Sequence, residues 1–226
     1  DLFGTFVVPN TKATQGQILV FGAPRMCISP KSLIPEGGTV ALLKDFEVQE
    51  PKSGFKCKFL APKDVIEPED GCFVSWSGNK FEWLNLDIDM TMPSDLKKVV
   101  NGKRTEESPI LHVGTKIQKW EDFTAEVSID PFEHVDLPGY VFTADEAIID
   151  LASGSNHSKM GSFPEGYKLE SLGLAKGKEK EWTGLYFKEL SMAFPSSIKI
   201  GNGKEPMKVA VENLFIDKSG FTLDCG

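Results

Sequence analysis

The chain has 226 residues, with 25 Lys+Arg against 33 Asp+Glu and a formal net charge of −8. A chain of this length buries roughly 70–75% of the surface its unfolded form exposes, so it needs neither metal nor disulfide to fold. The acidic balance excludes a general nucleic-acid surface and disfavours an anionic membrane, because Lys97-Lys98 and Lys176-Gly-Lys178 are too short to neutralise phosphates.

Hydrophobic residues make up 40% of the chain, too many for a disordered one. No run reaches the ~20 apolar residues of a membrane-spanning helix, so no membrane span is expected. Asp1 opens the chain without the basic region of a secretory signal and without an initiator Met. A mature product or a piece of a longer protein is expected.

From the N-terminus, strands are expected over Thr5–Val8, Gln17–Phe21, Thr39–Val48, Phe55–Leu60 and Cys72–Trp76. Cys57 and Cys72 fall in the last two and could face each other in a hairpin. They would be buried thiols, or a disulfide in an oxidising compartment. No CxxC pairing occurs, which argues against a zinc cluster.

The clearest pattern follows at Leu84–Met92. Leu84, Leu86, Ile88, Met90 and Met92 alternate with Asn85, Asp87, Asp89 and Thr91, as in a half-buried strand with one wet face. Pro93-Ser-Asp-Leu-Lys-Lys is expected to make one helical turn. Further strands are expected over Ile110–Ile117, Phe123–Ile129, Tyr140–Phe142, Ala147–Leu151, Leu185–Phe194, Met207–Ile216 and Phe221–Leu223. Segment 152–181, rich in Gly, Ser and Lys, reads as a long loop, with a helical turn over Tyr167–Leu174. Gly and Asn at Ser77-Gly-Asn79, Asn101-Gly102, Leu137-Pro-Gly139 and Asn202-Gly203 supply the positive-φ positions of tight turns.

An internal repeat is visible. Met90-Thr-Met-Pro-Ser-Asp-Leu-Lys97 matches Met192-Ala-Phe-Pro-Ser-Ser-Ile-Lys199 at an offset of 102, and Asn-Gly-Lys follows at 101–103 and 202–204. Glu82-Trp83 and Glu181-Trp182 match upstream at an offset of 99. The fold expected is all-β: two antiparallel β-sandwich-like units in tandem, 1–122 and 123–226, with few or no helices. Trp83 and Trp182 should then share one environment.

Residues 140–224 carry the string Phe142-Thr-Ala-Asp-Glu-Ala-Ile-Ile-Asp150, then Phe163-Pro-Glu-Gly-Tyr167, Trp182-Thr-Gly-Leu-Tyr-Phe-Lys188, Pro195 and Ile216-Asp-Lys-Ser-Gly-Phe221. This resembles repeat units of very large, uncharacterised bacterial β-rich proteins. The resemblance implies a module of a surface fibre or of an injection or tail-like assembly, with other domains or copies of the parent as partners. It carries no catalytic residue over.

Motifs for chemistry are sparse. His112, His134 and His157 form no metal-ligand spacing, and His112 reads as an ordinary strand residue. Asp130, Glu133 and Asp136, with His134, could offer oxygen ligands to a cation such as calcium. The run lacks the alternating acids and central Gly of a calcium loop, so a solvated acidic turn and no cofactor are expected. Asn156-His-Ser158 is a glycosylation sequon in form, and no nucleophile elbow surrounds Ser155 or Ser158.

Asp87 and Asp89 share a strand face at about 6.5–7 Å, within the range of glycosidase carboxyl pairs. Asp145-Glu146 and Asp150 form a second acidic strip. Trp76, Trp83, Trp120 and Trp182 belong to a core or, if displayed, to a sugar-stacking platform. Two readings result. The favoured one is a non-enzymatic structural or binding module of an extracellular or cell-surface protein. The alternative is a carbohydrate-binding or glycoside-hydrolase-like module, with polysaccharide as partner, using Trp83, Trp182 and the Asp87/Asp89 pair.

Overall fold

The computed structural model describes residues 2–7, 18–23, 26–28, 35–49, 55–78, 80–119, 123–151, 183–198, 207–217 and 220–222. Among these, seventeen strands join one antiparallel sheet. No helix of the described residues is long and apolar enough to cross a membrane.

The sheet is a meander whose central path follows chain order. β1 (Leu2–Val7) pairs with β2 (Ile18–Ala23), and β2 and the short β3 (Cys27–Ile28) both pair with β4 (Pro35–Leu42). β5 (Phe46–Gln49) pairs with β6 (Lys56–Phe59), and β4 pairs with β7 (Phe73–Ser77). β6 and β7 lie end to end along the same edge of β8 (Lys80–Thr91). A side hairpin of β9 (Leu96–Val100) and β10 (Lys103–Arg104) leads into β11 (Ile110–Ile117), which pairs with β8. β12 (Thr124–Ile129), β13 (Phe132–His134), β14 (Val141–Asp150), β15 (Gly184–Ala193), β16 (Lys208–Asp217) and β17 (Gly220–Thr222) complete the sheet.

The all-β, antiparallel class stands as expected. The described strands form one continuous antiparallel sheet. β11 and β12, on either side of the expected boundary at 122/123, pair from Leu111–Ile129 to Gly114–Glu126.

The alternation in β8 sets its two faces. Asn85, Asp87 and Asp89 stand beside Lys116, Gly114 and His112 of β11, while Leu84, Leu86, Ile88 and Met90 stand beside Ile117, Thr115, Val113 and Leu111. Each favourable cross-strand pair contributes about 0.2–1 kcal/mol, so the register is fixed by many small terms. Deep burial is sparse. Eleven hydrophobic side chains are buried among the described residues, including Phe73, Ile117, Ile148, Tyr186 and Phe215.

Several local expectations are corrected. Thr39–Val48 is broken at Leu43–Asp45, because β4 and β5 turn to different partners. Pro93 opens a turn closed by Leu96 N donating to Pro93 O at 3.0 Å, and the chain then enters β9 instead of a helix. The β-branched Val99 and Val100 favour that outcome, and pairing of Leu96–Lys98 with β13 secures it. Tyr140–Phe142 and Ala147–Leu151 merge into the single strand β14, which pairs with β15 along its length. Cys57 and Cys72 do not face each other: Cys57 pairs with Met90, while Cys72 Sγ donates to Asp87 O at 3.3 Å. Both thiols are free, and burial pushes both above the ordinary thiol range.

The two Pro-Ser corners share part of their pairing. Thr91 pairs with Ile110, and Ala193 pairs with Lys208. Met92 N donates to Pro109 O at 2.9 Å, as Phe194 N donates to Met207 O at 2.8 Å. Ile198 N donates to Pro195 O at 2.8 Å, repeating the Leu96–Pro93 turn. The cross-strand row Val48–Cys57–Met90–Leu111 recurs as Phe132–Phe142–Met192–Val209. The corner offset of 102 carries Trp83 to Leu185. Trp182, expected to share the surroundings of Trp83, lies outside the described residues, as do Trp120 and the segment 152–181.

Candidate functional site

The polar faces of β8, β11, β12 and β14 surround a cleft of about 370 Å3. Its floor is Gly114, midway along β11. A Cβ there would lie 3.1 Å from Asp87 Oδ1 and 3.6 Å from His112 Nε2, so a side chain at this position would press on the Asp87 carboxylate. Glu126 and Ser128 of β12 and Asp145 and Glu146 of β14 form one wall, and Glu69 and Asp70 form the other.

The second wall belongs to the loop from Leu60 to Cys72. Its neck is closed by Cys72 N donating to Leu60 O at 2.8 Å, which makes it a compact Ω-type loop. Gly71 N donates to Asp87 Oδ2 at 2.5 Å, and Asn85 Nδ2 donates to Gly71 O at 2.6 Å. Ala61 N donates to Asp45 Oδ1 at 2.8 Å; this bond and the Lys58 ammonium hold the Asp45 carboxyl below its ordinary range. Lys63 does the same for Asp70, through its backbone N–H and then its ammonium 3.0 Å away.

Asp87 and Asp89 share a face, as the alternation requires, but they serve different partners. Asp87 tethers the loop. Asp89 Oδ1 lies 2.8 Å from His112 Nδ1, which orients the imidazole with Nε2 toward Gly114. Asp87 and His112 line the cleft. Trp83 lies in an adjoining depression of about 350 Å3, where Lys116 Nζ sits 4.9 Å from its ring centroid. Such a cation–π contact contributes about 0.5–1 kcal/mol at a solvated site.

The acidic run at 130–136 does not converge. Asp130 Oδ2 accepts from Ile110 N at 3.0 Å and pairs with Lys98 Nζ at 3.0 Å. Glu133 is buried and accepts from Gly139 N at 3.1 Å. The Asp136 side chain is 85% exposed, 3.7 Å from His134 Nδ1. Among the described residues no three His, Cys, Asp or Glu side chains are placed to hold a metal ion.

The cleft thus gathers Glu69, Asp70, Asp87, Glu126, Asp145 and Glu146 around one oriented imidazole and Lys116. Its negative lining favours cationic ligands. Three of these carboxylates are already engaged: Asp87 with Gly71, Asp70 with Lys63, and Glu146 with Lys188 at 2.8 Å. Sequence reasoning missed His112, Gly114 and the Ω-loop. A Gly inside the alternating strand Ile110–Ile117, flanked at two residues on each side by His112 and Lys116, was the available signal. Comparison of the chain with protein-family models, curated proteins and solved structures finds no match.

Proposed function

We propose that the chain is a non-enzymatic structural and binding module of a larger bacterial extracellular or assembly protein, built from duplicated units. The observation that supports this most is the recurrence of one pairing register around both Pro-Ser corners. The two hairpins share a turn hydrogen bond, the bond before the proline and a four-strand row of partners. β1 and β2 precede β4 as β8 and β11 precede β12, which fits a further unit of the same kind. Strand units joined edge to edge in one meander suit a part of a longer fibre or tail-like assembly.

A carbohydrate-active module is the second reading. It is favoured by the acid-lined cleft lying beside Trp83, with Lys116 and Glu69 common to both depressions. A titration of Trp fluorescence against a polysaccharide panel separates the two. The structural reading predicts no saturable change, because Lys116 already covers the Trp83 ring. Saturable quenching that disappears in Trp83→Ala would establish the second reading in its place.

A further inference from the structure

Gly114 has an acid on either side: it pairs with Asp87 of β8 and with Glu126 of β12, and His112 shares its face two residues earlier. The place a Cβ would take at Gly114 lies 3.1 Å from Asp87 Oδ1 and 3.6 Å from His112 Nε2. Both atoms therefore face one point on the cleft floor. Asp87 holds Gly71 through Oδ2, which leaves Oδ1 for that point. His112 Nδ1 is 2.8 Å from Asp89 Oδ1, and a carboxylate only accepts, so Nδ1 carries the proton. In the uncharged ring Nε2 is then an acceptor as well. Among the described residues neither Asp87 Oδ1 nor His112 Nε2 has a hydrogen-bond partner.

Two acceptors that face one point call for a ligand that brings the donors. The acidic walls alone set only the sign of its charge; the imidazole and the side-chain-free floor set where it sits. A metal ion wants several ligating side chains around it, and among the described residues no three His, Cys, Asp or Glu converge in that way. An ammonium needs less: it has three N–H donors, and contacts of about 2.7–3.2 Å satisfy them. Lys116, on the same strand, does not fill the place, because its Nζ sits 4.9 Å from the Trp83 ring centroid in the neighbouring depression. The cleft holds about 370 Å3, so a short alkyl chain fits behind the nitrogen, with Val127 and Ala147 beside it.

We infer that the cleft is a binding site for a primary alkylammonium group, its nitrogen above Gly114 between Asp87 Oδ1 and His112 Nε2, with Glu126 at hand for the third N–H. A lysine side chain of a partner and a free amine share this chemistry. The inference rests on the binding role proposed above, to which it gives a ligand class, and uses nothing of the repeat.

The test titrates the chain with n-butylammonium and, in parallel, with n-butyltrimethylammonium, which has the same charge and chain but no N–H. The nitrogen resonance of His112 Nε2 should shift saturably with the first. The second should bind about tenfold more weakly or worse, the scale of losing a hydrogen bond to a charged group. Gly114→Ala, which puts a methyl where the nitrogen sits, should weaken n-butylammonium by a similar factor. Glu126→Gln, at an exposed position, should weaken it by a smaller one. N-acetyl-lysine methylamide separates the sources: comparable affinity assigns the site to a partner's lysine, and weaker affinity assigns it to a free amine. No saturable shift, equal binding of the two ammonium ions, or undiminished binding by the Gly114→Ala chain would overturn the site. Backbone contacts at Thr91–Ile110 and Ala193–Lys208, read from the same sample, keep the failures apart. If they are present, the amine site fails alone; if they are missing, the repeat reading fails with it.

Discussion

Replacing Ile148 by Ala is expected to lower stability by about 2–5 kcal/mol, the range for emptying a buried aliphatic site. Ile148 is 2% exposed and stands beside Tyr186, which in turn stands beside Phe215. Tyr186 and Phe215 are 4% and 3% exposed, and Tyr186 Oη donates to Asn213 Oδ1 at 2.9 Å. That hydrogen bond limits how far the tyrosine can move to fill the space, so the cavity should persist. Thermal unfolding checks this, with a fall of about 2–4 °C per kcal/mol. Val209→Ala is the contrast. Val209 is 45% exposed, and its loss should cost about 1 kcal/mol or less. Equal effects at the two positions would mean that the core does not lie along the Ile148 row.

Gly71→Ala should cost about 2–4 kcal/mol for a different reason. Gly71 has φ +75, a region that costs other residues roughly 1–2 kcal/mol. An added Cβ would also stand 2.3 Å from Pro62 N and 2.6 Å from Ala61 C, and both are backbone atoms that cannot swing aside. The chain must shift, and the bonds of Gly71 to Asp87 and Asn85 shift with it. The Ω-loop then leaves the cleft wall, which should appear as faster exchange of the Lys63 and Gly71 amides. Gly78→Ala isolates the conformational cost: Gly78 has φ +59 but nothing within 4 Å of an added Cβ. A penalty at Gly71 no larger than that at Gly78 would remove the clash from the account.

Local patterning was legible where one period ran unbroken. The alternation at Leu84–Met92 identified β8 and both its faces. Pairing choice was not legible. Nothing in Thr39–Val48 says that β4 and β5 seek different neighbours, because that choice depends on β6 and β7 arriving from residues 56–77. Asp87 and Asp89 could be placed on one face but not given their partners, since Gly71 and His112 reach them from elsewhere in the chain. The acidic run 130–136 looked like a site because its members are close in sequence. In β13 and its turns they point at Lys98, Gly139 and His134, so proximity along the chain did not become convergence.

On the proposed repeat reading, two stretches of this chain fold as copies of one strand arrangement, which nuclear Overhauser contacts between α-protons would reveal. The bonds from Met92 N to Pro109 O and from Phe194 N to Met207 O make Thr91–Ile110 and Ala193–Lys208 the adjacent non-hydrogen-bonded pairs. There α-protons come closest across an antiparallel ladder. Strong contacts are predicted at both pairs, with a second set two residues on at Asp89–His112 and Ser191–Ala210. A contact set shifted by one residue in either hairpin would contradict the shared register, and with it the reading of the chain as a repeating module.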